Sequence, residues 1–397
     1  MKIKLLSLLF LFGFLHAISC TVYKITKGGK TFVGNNEDYW DANTRIWFEK
    51  GKTGEYGSMF VGMDNLVAQG GMNEAGLVFD GFSVQERQIK SKSGKLKFYP
   101  TLFKDVLKKC QSTAAVALML GKYDLSPLNG GMLLYIEKTG KYLVVEADTM
   151  MMGNEDHYLL SNFCPSHVKK VQDLNIPYYQ KGRKMMEVHA DTSWTYLTQL
   201  SDTMHQDWGN GIGGTLYTTI YDLHEGTINL YFYHDYKVTV KFNLKDELSK
   251  KTGILVIPEM FPGNTAGQIH YSEWNNVKAA IRSLASNSVV NDSLALENFI
   301  ESEGIYPMVK VFELDINDEG YELLEKGNVT AAINVFKLNV QYFPNSWNCF
   351  DSLGDAYMKA KNYPLALVNY KKSVGINPKN THGQKQILKI EKSGKYR

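Results

Sequence analysis

Apolar positions change their spacing along this chain of 397 residues. From Thr21 to about Leu244 they come in short alternating or continuous runs, such as Leu77 to Phe82, Met132 to Ile136 and Tyr142 to Ala147, the pattern of half-buried or fully buried strands. Gly28-Gly29, Asn129-Gly130-Gly131 and Thr139-Gly140 punctuate them as turns. Thr215 to Ile220, then Asp222-Leu223-His224-Glu225-Gly226, then Thr227 to Tyr233 predict a β-hairpin. Helical spacing is interleaved at Thr101 to Lys109, Ser112 to Leu120 and Gln180 through His189. The mixture predicts an α+β domain of packed layers.

After Lys245 the chain turns charged and helical, with helices expected at Trp274 to Ala285 and Ser293 to Glu303 around a loop from Pro258 to Gly267. Beyond lies an internal repeat with a period of 34: Gly320 matches Gly354, Leu323 matches Tyr357, Ala332 matches Ala366, Phe336 matches Tyr370 and Pro344 matches Pro378. This resembles tetratricopeptide repeats, in which small residues let paired helices approach while large ones fill the gap. The expected organisation is therefore residues 1–19 as a leader, 20–245 as the layered domain, 246–316 as a helical connector and 317–390 as repeats. The repeats read equally as a platform for a protein or peptide partner and as a structural cap.

Composition narrows the function classes. A net charge of +3 with 21% charged residues gives no footprint for nucleic acid. The 24 tyrosines, 19 phenylalanines and 6 tryptophans fit strands and packing before they fit an apolar substrate pocket. Four cysteines, Cys20, Cys110, Cys164 and Cys349, lie far apart without the paired spacing of a disulfide framework or zinc site, and Cys110 and Cys164 read as buried thiols. None of the nine histidines stands in an H-x-x-x-H or H-E-x-x-H frame, so neither a metal nor any other cofactor is implied. The glycines from Gly209 to Gly214 lack the lysine of a phosphate loop and read as a loop before the hairpin.

The first residues carry the sharper signal. Lys2 and Lys4 precede the apolar run Leu5 to Leu15, and small residues Ala17 and Ser19 sit three and one positions before Cys20, the pattern of a cleavable secretory leader. With no later stretch of about 20 apolar residues, the mature chain is expected to be exported without a transmembrane segment. Cleavage before Cys20 would put a thiol and an α-amine of reference pKa about 7.7 to 8 on one residue, nucleophile and base together. Ala17-Ile18-Ser19-Cys20 also partly fits a lipobox, which would acylate that thiol instead.

Cys20-Thr21, Gly34-Asn35-Asn36-Glu37-Asp38, Gly71-Met72-Asn73-Glu74-Ala75-Gly76-Leu77, Ser161-Asn162-Phe163, Arg183 and Thr215 to Asp222 occur in an order that resembles the choloylglycine hydrolase and penicillin V acylase family and the related acyl-CoA:6-aminopenicillanate acyltransferases. The resemblance spans Cys20 to Leu244. It implies a four-layer αββα N-terminal-nucleophile fold and hydrolysis of a linear amide in a small-molecule acyl-amide substrate. It also implies roles: Cys20 as nucleophile, Asp38 holding it, Asn162 donating to the oxyanion, and Arg183 near the thiol. Ser83 falls where bile-salt hydrolases carry an asparagine, leaving only its backbone N–H for an oxyanion. Asn35 falls where that family carries an arginine, which removes the argument for bile salts or penicillin V as substrates. A transferase of the same fold and a lipid-anchored, repeat-bearing binding protein are the competing expectations.

Overall fold

The structure is a computed structural model, and it describes residues 20–39, 41–99, 101–207, 214–250, 253–286 and 313–394. The expected leader, the expected helix from Ser293 to Glu303 and most of the loop from Gly209 to Gly214 lie outside the described residues. The chain divides into two units between Tyr271 and Ser272.

The first unit contains, in chain order, β1 (Thr21–Lys27), β2 (Lys30–Tyr39), β3 (Thr44–Glu49), β4 (Ser58–Met63), β5 (Ala68–Asn73), β6 (Leu77–Ser83), β7 (Leu96–Lys97), α1 (Leu102–Lys109), α2 (Thr113–Leu120) and β8 (Tyr123–Asp124). It continues through β9 (Gly131–Glu137), β10 (Tyr142–Glu146), β11 (Met150–Gly153), β12 (His157–Leu160), α3 (Pro177–Val188), α4 (Trp194–Met204), β13 (Gly214–Asp222), β14 (Thr227–Phe232), β15 (Asp235–Asn243), α5 (Leu244–Ser249) and β16 (Ile254–Val256). Two large sheets result, one of six strands in the order β12-β1-β2-β13-β14-β15 and one of eight in the order β11-β10-β9-β6-β5-β4-β3-β16. β16 pairs with β3, so the sheet draws an edge strand from beyond the boundary expected at residue 245.

Side-chain alternation makes four layers of these elements. Along β6, Leu77 and Phe79 enter a core shared with Val106 of α1 and Val116 of α2, while Val78 and Phe82 enter the core between the sheets. Tyr23, Ile25 and Phe32 of the six-stranded sheet face outward onto Tyr179 and Met186 of α3 and Leu197 and Leu200 of α4, whereas Val22 and Val33 face inward. The order is thus helices, sheet, sheet, helices. β2 is buried at eight of its ten positions because it has packing on both faces. In the hairpin from β13 to β14, Asp222 Oδ1 accepts from the backbone N–H groups of His224 and Glu225, and Gly226 takes φ 63°.

The helix α4 has no counterpart among the sequence expectations, and its Trp, Tyr and Thr content shows why. β-branched and aromatic residues argue for a strand, yet Leu197, Leu200 and Met204 form one buried face and Ser193 caps the first turn by accepting from the Tyr196 N–H.

The second unit holds the C-terminal part of α6 (Ala266–Ser286), then α7 (Glu313–Glu325), α8 (Val329–Tyr342), α9 (Trp347–Lys359), α10 (Tyr363–Ile376) and α11 (Thr381–Ser393) among the described residues. Its period is visible in the packing. A Cβ on Gly320 would fall 2.4 Å from the Phe336 ring, and one on Gly354 would fall 2.7 Å from the Tyr370 ring. Asn328 and Asn362, again one period apart, cap α8 and α10. Among the described residues, no helix is long and apolar enough to cross a membrane.

Candidate active site

Strand register gathers the predicted residues from distant parts of the sequence. Cys20 immediately precedes β1, and β1 pairs with β2 so that Thr21 lies opposite Asn36; one step further sets Cys20 opposite Glu37. On its other side β1 pairs with β12, Val22 opposite Leu160, which brings the end of β12, two residues before Asn162, beside the start of β1. Ser161 fixes this junction by donating its hydroxyl to the Cys20 carbonyl oxygen at 3.0 Å. Sequence reading included that serine in the Ser161-Asn162-Phe163 match and gave it no role.

The Cys20 side chain packs in the core between the sheets and is 5% exposed. Burial pushes its thiol well above the ordinary value, and Glu37, Asp38 and Asp80 push the same way, while a hydrogen bond from the Asp38 backbone N–H opposes them. Asp38 therefore meets the sulfur through its main chain. Its carboxylate accepts from the Thr215 hydroxyl at 2.5 Å and the Gln206 side-chain amide at 2.5 Å, tying β2 to the start of β13. Burial raises the Asp38 carboxyl despite those two bonds.

Asn162 and Ser83 are brought together. The Asn162 side-chain amide donates to the Ser83 backbone carbonyl at 2.6 Å, so Ser83 contributes an acceptor that orients the amide rather than an N–H. Asn35 is fully buried and donates its amide to Glu37 Oε2 at 3.5 Å.

Arg183 is not brought to the thiol. It lies on α3, on the outer side of the six-stranded sheet, bonded to Gln180 Oε1 at 3.1 Å and paired with Glu187. There it lines a cavity of about 390 Å³ with His157, Phe163, Val171 and Met186, and Cys20 is not part of that lining. Arg183 shares the helix face of Tyr179 and Met186, which pack on the outer side of the six-stranded sheet, so the sheet itself stands between α3 and the inner space.

Two acids that sequence reading gave no role complete the inner site. Glu37 reaches the Cys20 thiol with its carboxyl and is pushed up to about 7 by burial, the largest cause. Asp80 is 1% exposed on the inner face of β6, and its carboxyl is raised well above the usual range by burial first and by Glu37 second. A readable signal existed for each: Glu37 shares the inner parity of Val33 and Asn35, and Asp80 interrupts the apolar run Leu77 to Phe82.

All four cysteines are free thiols; Cys110 is buried, whereas Cys164 is only half-buried. In the helical unit Asp351, Asp355 and His382 come within 4.8 Å of one another, a group of metal-ligand type that the histidine spacing did not foretell. Protein donors already engage it. Asp355 accepts from Tyr370 at 2.6 Å and Tyr321 at 3.0 Å, and Asp351 accepts from Asn380 at 2.7 Å and meets His382 at 2.7 Å.

No protein-family model matches the chain, and no curated protein matches it. Among solved structures it is similar to a penicillin V acylase from Agrobacterium tumefaciens, at 13% identity and TM-score 0.48 over 59% of this chain and 90% of that one. It is also similar to two variants of the conjugated bile acid hydrolase from Clostridium perfringens. One aligns at 16% identity and TM-score 0.47 over 59% of this chain and 96% of the other. The second aligns at 17% identity and TM-score 0.47 over 60% and 95%.

Proposed function

We propose that this chain is an exported amidase of the N-terminal-nucleophile type, with Cys20 as nucleophile once residues 1–19 are removed. What supports the reading is the junction at the start of β1, where the Asp38 backbone N–H and the Glu37 carboxyl meet the Cys20 sulfur and Ser161 donates to the Cys20 carbonyl oxygen. Asn162 adjoins that junction, its side-chain amide oriented by the Ser83 carbonyl.

Within the intact chain the thiol is buried among acids and its proton is held tightly. Cleavage would add what the site lacks, an amine on the same residue. As a free base it takes the thiol proton; as an ammonium it is a cation beside the sulfur, which favours the thiolate. The sulfur attacks the amide carbonyl carbon, a C–S bond forms, and the oxygen gains charge within reach of the Asn162 amide. Preorganised donation of this kind is worth about 3 kcal/mol in the transition state. Collapse breaks the C–N bond, and the leaving amine takes the proton from the ammonium. Water, deprotonated by the same amine, then attacks the thioester, releasing the acid and restoring the thiol.

A thiol facing the space between two sheets is poorly placed for a lipid anchor, which needs Cys20 at the surface. Transfer to a second amine in place of water uses the same acyl-enzyme. The helical unit is an accessory to this chemistry, with no side chain assigned to it.

The test is hydrolysis of a panel of N-acyl amides by the mature chain and by its Cys20→Ser variant. A fall in kcat/KM of about 10³-fold or more is expected. Full turnover by the serine variant would remove Cys20 from the mechanism.

A further inference from the structure

The space between the sheets beside Cys20 is built of acceptors. Asn35 and Glu37 of β2 and Tyr217, Thr219 and Tyr221 of β13 lie on its six-stranded side, in register as Asn35 opposite Thr219 and Glu37 opposite Tyr217. Asp80 reaches in from the eight-stranded side. The exposures of these six side chains run from 0% to 4%. Burial and mutual charge tie them together: Tyr217 and Tyr221 each feel both Glu37 and Asp80, and Tyr217 feels Cys20 as well.

Their hydrogen bonding is incomplete. Neither carboxylate oxygen of Asp80 has a side-chain partner, and only the Gly81 backbone N–H leans towards it. The Asn35 carbonyl oxygen and the Tyr217 hydroxyl have no partner, and Thr219 and Tyr221 have only one another. A buried carboxylate left in this state costs several kcal/mol unless it takes up a proton or a cation or donor answers it. No side chain is placed to do so, and the α-amine that cleavage would add at Cys20 is claimed by the sulfur whose proton it carries. Among the described residues Lys24 is the one buried lysine or arginine, and its ammonium is committed to the carbonyls of Gly140 and Glu155. Lys24 also lies four residues along the strand from Cys20, about 13 Å away at strand rise. Space beside Asp80 is kept open by Gly70, its pairing partner in β5; a Cβ there would stand 2.8 Å from Asp80 Oδ2.

From this we infer that the substrate supplies the missing cation: the acyl group cleaved at Cys20 carries an ammonium or guanidinium that sits between Asp80 and Glu37. The inference rests on the amidase reading and names its substrate class. Two carboxylates, an amide oxygen and hydroxyl oxygens together accept from every N–H of an ammonium, whereas a hydrocarbon chain would leave all of them unanswered. It also accounts for Asn35: an arginine there would place its own cation against Glu37 and occupy the position.

The experiment compares matched p-nitroanilides on the mature chain: ω-aminoalkanoyl groups with acyl chains of two to six carbons, and isosteres in which a methyl replaces the ammonium. The expected result is a kcat/KM ratio of at least about tenfold in favour of one ammonium-bearing length, collapsing in Asp80→Asn and in Glu37→Gln. A ratio is read because general damage to the fold moves both members of a pair equally. Equal turnover of both members by the native chain would overturn the inference, leave the amidase reading intact and assign the open acceptors to interior water. A second arm needs no turnover: calorimetry on Cys20→Ser with n-pentylammonium against 1-pentanol, expecting ammonium binding at least about tenfold tighter and its loss in Cys20→Ser/Asp80→Asn. Ammonium binding without hydrolysis of any amide would instead contradict the amidase reading alone, and equal or absent binding of both probes would contradict the cation site.

Discussion

Both units of this protein set two acids close together, and the pairs differ in what answers them. Asp351 and Asp355 in the helical unit receive Asn380, His382, Tyr321 and Tyr370, donors drawn from three neighbouring helices, Asn380 being the cap of the one that carries His382. Glu37 and Asp80 receive one long amide bond, a thiol and a backbone N–H, with three unanswered or self-paired hydroxyls around them. A satisfied network holds helices together; an unsatisfied one keeps a place for something else. The difference separates an answered pair of acids from an unanswered one within one chain, and the proposed cation site rests on it.

The largest effect that sharpens this contrast is chemical. Asp38→Ala is expected to lower kcat/KM by about 10²-fold, because the carboxylate anchors the strand segment whose N–H faces the sulfur. Urea unfolding should at the same time show a loss of about 2 kcal/mol, as Thr215 and Gln206 lose a buried acceptor. Activity that survives this substitution would remove Asp38 from the positioning of Cys20.

Stability should then change sign between the two pairs. As pH rises above about 4.5 the unfolded chain ionises at Glu37 while the folded chain does not until about 7, so the folded state loses stability across that window and levels off above it. Glu37→Gln removes the penalty. It should stabilise the protein at pH 7.5 by on the order of 3 kcal/mol and leave stability near pH 4 almost unchanged. Asp351→Ala should do the reverse, costing about 2 kcal/mol at neutral pH by stripping Asn380 of its acceptor. Chemical denaturation of both variants at two pH values checks this, and equal signs would erase the distinction.

Packing gives a smaller effect. Gly354→Ala should cost about 1–3 kcal/mol, since the added methyl meets the Tyr370 ring and the two helices must separate. The smallest belongs to Arg183→Ala. Its half-exposed pairing with Glu187 is worth under about 0.5 kcal/mol, and amide hydrolysis should change less than about twofold.

Much of the fold was legible because strand alternation and turn residues are local. The hairpin over β13 and β14, the strand β6 and the helices α1 and α2 stand within a residue or two of their expected bounds. Pro177 at the first turn starts α3 three residues earlier than expected, and α4 was hidden by strand-forming residues whose helical face is set by the sheet beneath it. In the site, Cys20, Asp38 and Asn162 were legible as types at an ordered spacing. Which atom of each residue meets the sulfur was not, because register across β1, β2 and β12 decides it. Asp38 meets the sulfur through its backbone, Ser83 offers its carbonyl to the Asn162 amide, and Arg183 lies on α3 paired with Glu187. Glu37 and Asp80 come from strands more than forty residues apart in different sheets, and only the stacking of those sheets makes them a pair.

The central claim is tested most directly by peptide mass spectrometry on the mature chain, quenched with acid during turnover of an N-acyl amide. The account predicts a chain that begins at Cys20, with a free α-amine and the acyl group held as a thioester on the Cys20 sulfur. A diacylglycerol on that sulfur, a retained leader in the active protein, or the acyl group on any other residue would contradict it.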